Sequence, residues 1–148
     1  MHLSKAGYDI TIVDSLIRRE FDTELGVLSL TPIADINSRI KAWKEKTGQI
    51  IHFEKLCIVN ESHRLRDVLI KTNPFAIVHF AEQRSAPYSM KSPKHKSFTI
   101  NNNIIGTHNV LSALVEAGVN AHLVHLGTMG VYGYGDIDAE IPEGYLNV

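Results

Sequence analysis

A polar segment follows one of the most apolar runs of the chain. Residues 76–78 read Ala-Ile-Val, which is typical of a buried strand, and residues 79–85 then read His-Phe-Ala-Glu-Gln-Arg-Ser. The carboxylate, amide, guanidinium and hydroxyl of this segment can together hold a polar or anionic ligand. Because open α/β sheets bind ligands beyond the carboxyl ends of their strands, the segment predicts a binding site at that edge.

Two further apolar runs end near residues whose side chains could bind a ligand or take part in catalysis. The run at 8–13 ends at Asp14, and the run at 121–126 leads into the string GTMGVYG at 127–133. If these strands are parallel, all three exits lie at one edge of the sheet. The carboxylate of Asp14 and the hydroxyl of Thr128 then belong to the same candidate site.

The elements that must position these residues alternate along the chain. The pattern predicts strands at 8–13, 50–58, 76–80 and 121–126, and helices from 37 or 38 to 47, at 62–72 and at 92–117. Residues 1–6 look like the end of a helix, and 15–36 like a loop with short helical turns. The alternation favours a parallel sheet with right-handed crossovers. In the last helix we expect Ile104, Leu111, Leu114 and Val115 to lie on one apolar face.

Composition excludes several classes of protein. The 148 residues carry a formal net charge of −1, which gives no electrostatic case for binding nucleic acid or an anionic membrane. No apolar run approaches the ~20 residues of a membrane-spanning helix. The single cysteine, Cys57, predicts no internal disulfide and a reducing compartment. The eight histidines predict no metal site, since His122 and His125 are three apart on a strand and point to opposite faces.

Four strings support a family resemblance. They are VDSLIRR at 13–19, SLTPI at 29–33, EQRSAPYSM at 82–90 and GTMGVYG at 127–133. With Asn103-x-x-Gly106-Thr107 they resemble the UDP-sulfoquinovose synthase family of the extended short-chain dehydrogenase/reductases. The resemblance implies a partial Rossmann-like, doubly wound parallel sheet. It also implies tightly bound NAD and a reaction that joins UDP-glucose and sulfite, supplying the head group of sulfolipid. The family further implies a homodimer in a bacterial cytoplasm or a plastid stroma.

The resemblance assigns roles to individual residues. It implies a cofactor-binding role for Asp14, Arg18, Ile58, Phe80, Ala81 and Asn103. It implies a substrate-binding role for Glu82, Gln83, Arg84, Ser85, Met129 and Tyr132. Thr128 takes the position of the catalytic Ser or Thr.

Each main assignment has a simpler alternative. Asp14 can hold the diol of the adenosine ribose, or it can merely cap a turn. Arg18 or its neighbour Arg19 can pair with cofactor phosphate, or either can be an exposed arginine. Arg84 can bind sulfite through its planar guanidinium, or it can form an ion pair with Glu82.

The sequence departs from the family pattern in three ways. No glycine-rich turn of the Gly-x-x-Gly-x-x-Gly type precedes the helix end at 1–6, and no Tyr-x-x-x-Lys occurs anywhere. Cys57 and Phe75 stand where relatives often place an aspartate. We therefore expect residues 1–148 to form an incomplete NAD-binding domain that lacks the first strand and the C-terminal substrate domain and is inactive alone. A piece of a generic NAD-dependent nucleotide-sugar epimerase or dehydratase, or a non-catalytic module that pairs with the full-length enzyme, are the alternatives.

Overall fold

A computed structural model describes residues 1–28 and 30–127. The chain alternates strands and helices, as the sequence predicts. Its elements are α1 (His2–Lys5), β1 (Ile10–Asp14), α2 (Ile17–Glu24), α3 (Ile36–Thr47), β2 (Ile51–Lys55), α4 (Ser62–Thr72), β3 (Ala76–His79), α5 (Ala86–Ser89), α6 (Pro93–Ile100), a π-helical segment (Asn101–Ile105), α7 (Gly106–Ala117) and β4 (His122–His125).

The strands form two parallel pairs within the described residues. β1 pairs with β2 in the register Ile10↔Ile51, and β3 pairs with β4 in the register His79↔His125. No ladder joins β1 to β3 in this part of the chain. A doubly wound sheet of order 3-2-1-4-5 has its first strand between its second and fourth strands. The two pairs match the strands on either side of that position.

One apolar cluster underlies both pairs. It consists of Leu56, Ile58, Leu65, Leu69, Val110 and Ala113. Val13 of β1 and Ile77 of β3 both pack against it, together with α4 and α7. Before the two strands, the rings of Tyr8 and Phe75 stack with centroids 5.8 Å apart. Both strand pairs therefore pack on the same hydrophobic core.

The helix α3 begins earlier than the sequence indicates. Asp35, and not Asn37 or Ser38, is the N-cap, and its Oδ1 accepts a hydrogen bond of 3.0 Å from the Ser38 backbone N–H. A carboxylate is as good a cap as an amide or hydroxyl, so composition alone does not choose among these three neighbours. Gly48 ends the helix at φ +72°, as expected.

The segment predicted as a loop with short helical turns contains the helix α2. Phe21 of α2 is buried, and its ring lies 4.3 Å from that of Tyr88 and 5.1 Å from that of Phe98. These contacts fasten α2 to α5 and α6, which follow the polar segment after β3.

The predicted long helix is helical from 93 to 117 and contains a π-helical segment, but its predicted apolar face is largely exposed. The π-helical segment separates α6 from α7. Ile104, Leu111 and Val115 are exposed, whereas Val110 and Ala113 are buried and only Leu114 packs against the core as expected. Within α7 the buried residues Gly106, Val110 and Ala113 follow a regular 3.6-residue spacing, so the prediction chose a different apolar stripe of the same helix.

No helix is a candidate for crossing a bilayer in residues 1–28 and 30–127. The longest α-helices there, α3 and α7, have 12 residues each.

Candidate functional site

The backbone after β3 is held by two asparagines of the π-helical segment. Asn103 makes both possible bonds to Gln83: its Oδ1 accepts from the Gln83 N–H at 2.8 Å, and its Nδ2 donates to the Gln83 carbonyl at 3.0 Å. Asn102 donates to the Ala81 carbonyl at 3.1 Å. π-helical turns are often found at functional sites, and here one presents two amides to the predicted substrate segment.

Gln83 is buried and keeps one donor group without a partner. Its Oε1 accepts a hydrogen bond of 3.0 Å from the Ser85 N–H, which fixes the orientation of the amide. Its Nε2 is buried and makes no hydrogen bond within the described residues. Because leaving a buried donor unpaired costs about 1–3 kcal/mol, this group is suited to donate to a bound molecule.

Arg84 and Ser85 differ in their contacts. Arg84 is exposed and makes no ion pair in the part of the chain that the structure describes. The alternative ion pair with Glu82 is therefore not formed, and Glu82 contacts His125 instead, at 3.4 Å. Ser85 is the N-cap of α5 and accepts from the Tyr88 N–H at 3.4 Å.

Three residues that the sequence did not bring together meet at the ends of β3 and β4. His79, Glu82 and His125 each offer one candidate ligand atom, and these atoms lie within 4.8 Å of one another. The rings of His79 and His125 stack with centroids 5.3 Å apart, because the two residues are register partners. The spacing of His122 and His125 concerns one strand only. The missed signal was a histidine at the end of each of two neighbouring strands.

His79 is the most buried member of this group. Its Nε2 lies 3.1 Å from the Thr107 hydroxyl on α7. Burial lowers the pKa of His79 from the usual 6.5, Glu82 opposes that shift, and His125 adds to it. The imidazole is thereby kept in its neutral form at neutral pH.

Asp14 ends β1 with one carboxylate oxygen occupied. Its Oδ1 accepts a hydrogen bond of 2.7 Å from the Leu16 N–H, and the residue is exposed. Leu16 has a φ of +62°, which is unusual for a residue with a Cβ and is held by this turn. The turn-capping alternative is therefore realised at Oδ1, and Oδ2 makes no hydrogen bond within the described residues.

The other predicted cofactor residues lie in varied surroundings. Arg18 is exposed, and its Nε lies 3.8 Å from Asp22 Oδ1. Ile58 belongs to the core, and its carbonyl accepts a hydrogen bond of 2.8 Å from Asn109. The strand β3 ends at His79, one residue before the predicted end at Phe80. Phe80 is 58% exposed.

A second polar network holds α2 against the substrate segment. Glu24 accepts from the Tyr88 hydroxyl at 3.0 Å and pairs with His95 Nε2 at 2.9 Å. The His95 bond, and next the Tyr88 bond, lower the pKa of Glu24. Burial, and next the bond to Glu24, raise the pKa of Tyr88. The Ser92 hydroxyl lies 2.7 Å from the other ring nitrogen of His95.

Three predicted site residues, Thr128, Met129 and Tyr132, lie outside the described residues. A cavity of about 340 Å³ occurs at the opposite edge of the sheet, before β1 and β2, where Ser4, Tyr8, Gln49 and His52 are among its lining residues. It contains none of the predicted site residues, so we place the candidate site at the carboxyl edge.

Comparisons with known proteins agree on the family. The model of the NAD dependent epimerase/dehydratase family matches residues 1–145. The chain is 47% identical, over its whole length, to the chloroplastic UDP-sulfoquinovose synthase of Spinacia oleracea, of which it spans 30%. It is 38% identical over 97% of its length to the UDP-sulfoquinovose synthase of Sulfolobus acidocaldarius, of which it spans 36%.

A solved structure supports the same conclusion. A UDP-glucose 4-epimerase from Stenotrophomonas maltophila, with bound NAD and formylated UDP-arabinopyranose, has a TM-score of 0.68 and 26% identity. The match covers 90% of this chain and 34% of that one. The parallel strands, the alternating helices and the family model point to one fold. The chain belongs to the NAD dependent epimerase/dehydratase family.

Proposed function

We propose that the protein to which this chain contributes is a UDP-sulfoquinovose synthase, which joins UDP-glucose and sulfite with bound NAD. The observation that carries the proposal is the buried, unpaired Nε2 of Gln83 beside the exposed Arg84 at the carboxyl end of β3. Both residues belong to the string EQRSAPYSM, and relatives of that name are 47% and 38% identical across this chain. The chain spans about a third of the length of those relatives.

The residues present fit NAD. Asp14 has an exposed carboxylate at the end of β1 with Oδ2 unoccupied, which suits a hydrogen bond to the ribose diol. When bound, NAD supplies a group that accepts and returns a hydride. Asp14 would orient the adenosine half, and Arg18 stays a prediction for its phosphate or adenine.

Gln83 and Arg84 would hold the sulfur oxyanion. A fixed amide donor and a guanidinium offer neutral and charged hydrogen bonds to a tetrahedral anion. Asn103 prevents Gln83 from turning away, since it binds both polar atoms of the Gln83 backbone. Glu82 and Ser85, predicted as substrate contacts, are already bonded to His125 and Tyr88 and would shape the segment from either side of the pair.

The decisive assay uses a chimera in which residues 1–148 replace the matching segment of the spinach relative. With UDP-glucose, sulfite and NAD, we expect mass spectrometry to detect UDP-sulfoquinovose, at a rate within about tenfold of the parent protein. A soluble chimera that binds NAD but yields no sulfonated product would contradict the proposal. In that case, conversion of UDP-glucose to UDP-galactose would instead support an epimerase, the second candidate.

The epimerase candidate rests on similarity to UDP-glucose 4-epimerases, in structure and over part of the sequence. The chain is 37% identical to the UDP-glucose 4-epimerase of Rhizobium meliloti, but only over 53% of its length. Similarity over the whole of this chain, or nearly so, favours the synthase. A homodimer, and a plastid stroma or bacterial cytoplasm as the compartment, accompany the synthase proposal; the spinach relative is chloroplastic.

A further inference from the structure

We propose that His79, Glu82 and His125 bind one divalent transition-metal ion of the zinc class. The candidate ligand atoms of these three residues all lie within 4.8 Å of one another. The inference does not depend on the proposed function, because it requires neither NAD nor a nucleotide sugar.

The fold brings the three residues together for a simple reason. His79 and His125 are paired in the β3–β4 register, so their side chains lie on the same face of the two strands. Glu82 follows three residues after His79, in the backbone segment that Asn102 and Asn103 hold from the π-helical segment. The cluster is therefore built from a strand pair and a fastened loop.

The donor set and its spacing suit zinc. Two imidazoles and a carboxylate form a recognised three-ligand set for zinc, and the same set also binds ferrous iron. Metal–ligand bonds of about 2.0–2.2 Å in a tetrahedron place the ligand atoms roughly 3.3–3.6 Å apart. His125 Nε2 and Glu82 Oε1 already lie 3.4 Å apart. The third atom lies within 4.8 Å of the other two and needs to move by at most about 1.5 Å, which a side-chain rotation supplies.

Thr107 supports His79 in the way that metal-binding histidines are usually supported. Its hydroxyl lies 3.1 Å from His79 Nε2, so a proton on Nε2 leaves the Nδ1 lone pair available.

The site would keep an open position. The side chains of Glu82 and His125 are 22% and 39% exposed, so an ion can enter from solvent. With two neutral imidazoles and one carboxylate, a bound divalent ion keeps a net charge of about +1. Its fourth position would hold water or a small anion.

Zinc titration of the 148-residue chain tests the proposal. We expect one zinc ion per chain in competition with a chromogenic chelator, and cobalt(II) in its place should give the absorption bands of a four-coordinate site. His125→Gln and Glu82→Gln should each weaken zinc binding at least about tenfold, and Thr107→Val roughly 10- to 100-fold. All three residues are at least partly exposed, so these variants should fold.

Two control variants separate this cluster from other histidines. His122→Gln alters an exposed histidine on the same strand, and His95→Gln alters the histidine that pairs with Glu24. Neither should change zinc affinity more than about twofold. The proposal is overturned if the chain binds no zinc, if His125→Gln binds zinc as tightly as the unmodified chain, or if His122→Gln or His95→Gln abolishes binding.

Discussion

At the residue scale, the amide of Asn103 is the group that fixes the predicted substrate segment. Asn103→Ala removes two hydrogen bonds to the Gln83 backbone. Because both Gln83 groups then lose their partner, we expect the free energy of unfolding to fall by about 1–3 kcal/mol. Amide hydrogen exchange at Gln83 and Ser85 should become faster, as measured by mass spectrometry or NMR.

Asn101 provides the matched control for this prediction. It precedes Asn103 by two residues, is exposed, and makes no side-chain hydrogen bond in the described part of the chain. Asn101→Ala should change stability by no more than about 0.5 kcal/mol. Equal rates of amide hydrogen exchange at Gln83 in the two variants would show that Asn103 does not hold this backbone.

At this scale the sequence predicts which residues form the candidate site, but it does not predict the hydrogen bonds among them. Residues 82–85 were assigned from a resemblance and from their place after a strand. The backbone of Gln83 is held by Asn103, which is 20 positions away, and no local pattern shows that contact. The pairing of His79 with His125 required the register of β3 and β4, which hydrophobic periodicity does not give.

At the element scale, Glu24 joins α2 to α5 and α6, and its effect should depend on pH. The folded-state pKa of Glu24 is lowered from 4.5, so its contribution to stability is present above pH 4.5 and is lost as the pH falls through the folded pKa. Glu24→Gln should therefore make the free energy of unfolding less steep with pH below about 4.5. Chemical denaturation across that range measures the slope.

Glu20→Gln is the control for the pH dependence of stability below about pH 4.5. Glu20 is exposed on the same helix and carries the same charge. We expect its replacement to leave the slope of the unmodified chain largely intact. An identical slope in the Glu24 and Glu20 variants would show that the contacts with His95 and Tyr88 do not stabilise the fold.

The start of α7 depends on the absence of a side chain at Gly106. A Cβ there would lie 2.9 Å from Ile58 Cδ1 and 3.3 Å from Ile58 Cγ1. Gly106→Val should lower the free energy of unfolding by about 1–3 kcal/mol through overpacking. Gly106→Ala should cost under about 1 kcal/mol, because the end of the Ile58 side chain can shift. Thermal denaturation with Val no less stable than Ala would contradict this close packing.

Elements with a regular pattern were predicted well, and irregular ones were not. The helix at 62–72 has the predicted bounds because Leu65 and Leu69 follow a clean helical spacing and Pro74 lies just beyond. The π-helical segment Asn101–Ile105 contains no glycine or proline that would predict it. The hydrogen bonds of its asparagines to the loop after β3 are long-range, so the helical pattern of the sequence did not predict the segment.

At the scale of the whole molecule, Leu56 connects both strand pairs to one core. It is 2% exposed and belongs to the cluster that contacts Val13 of β1 and Ile77 of β3. Leu56→Ala should cost about 2–5 kcal/mol. Amides of β1 and β3 should lose protection from hydrogen exchange together.

Leu28 gives the comparison for Leu56. It is 95% exposed, so Leu28→Ala should change the free energy of unfolding by no more than about 0.5 kcal/mol. Loss of protection in β1 alone after Leu56→Ala would mean that the two pairs fold independently.

The fold class was predictable from the order of elements, whereas the strand pairing was not. Four apolar runs separated by helices predicted parallel strands, and both pairs are parallel. Their division into β1–β2 and β3–β4 depends on which edges meet. The same apolar cluster packs against both pairs, and no single run of residues encodes which strands pair.

The central claim is that Arg84 binds the sulfur oxyanion, and a sulfite titration of the chimera tests it. At saturating UDP-glucose, Arg84→Ala should raise the apparent KM for sulfite by about 10- to 100-fold, since a hydrogen bond to a charged group contributes about 1.5–3 kcal/mol. The KM for UDP-glucose should change little, and Arg84→Lys should restore sulfite use only in part. The control Arg66→Ala, at a partly exposed arginine paired with Asp67, should have no effect. An unchanged KM for sulfite in Arg84→Ala would contradict the account.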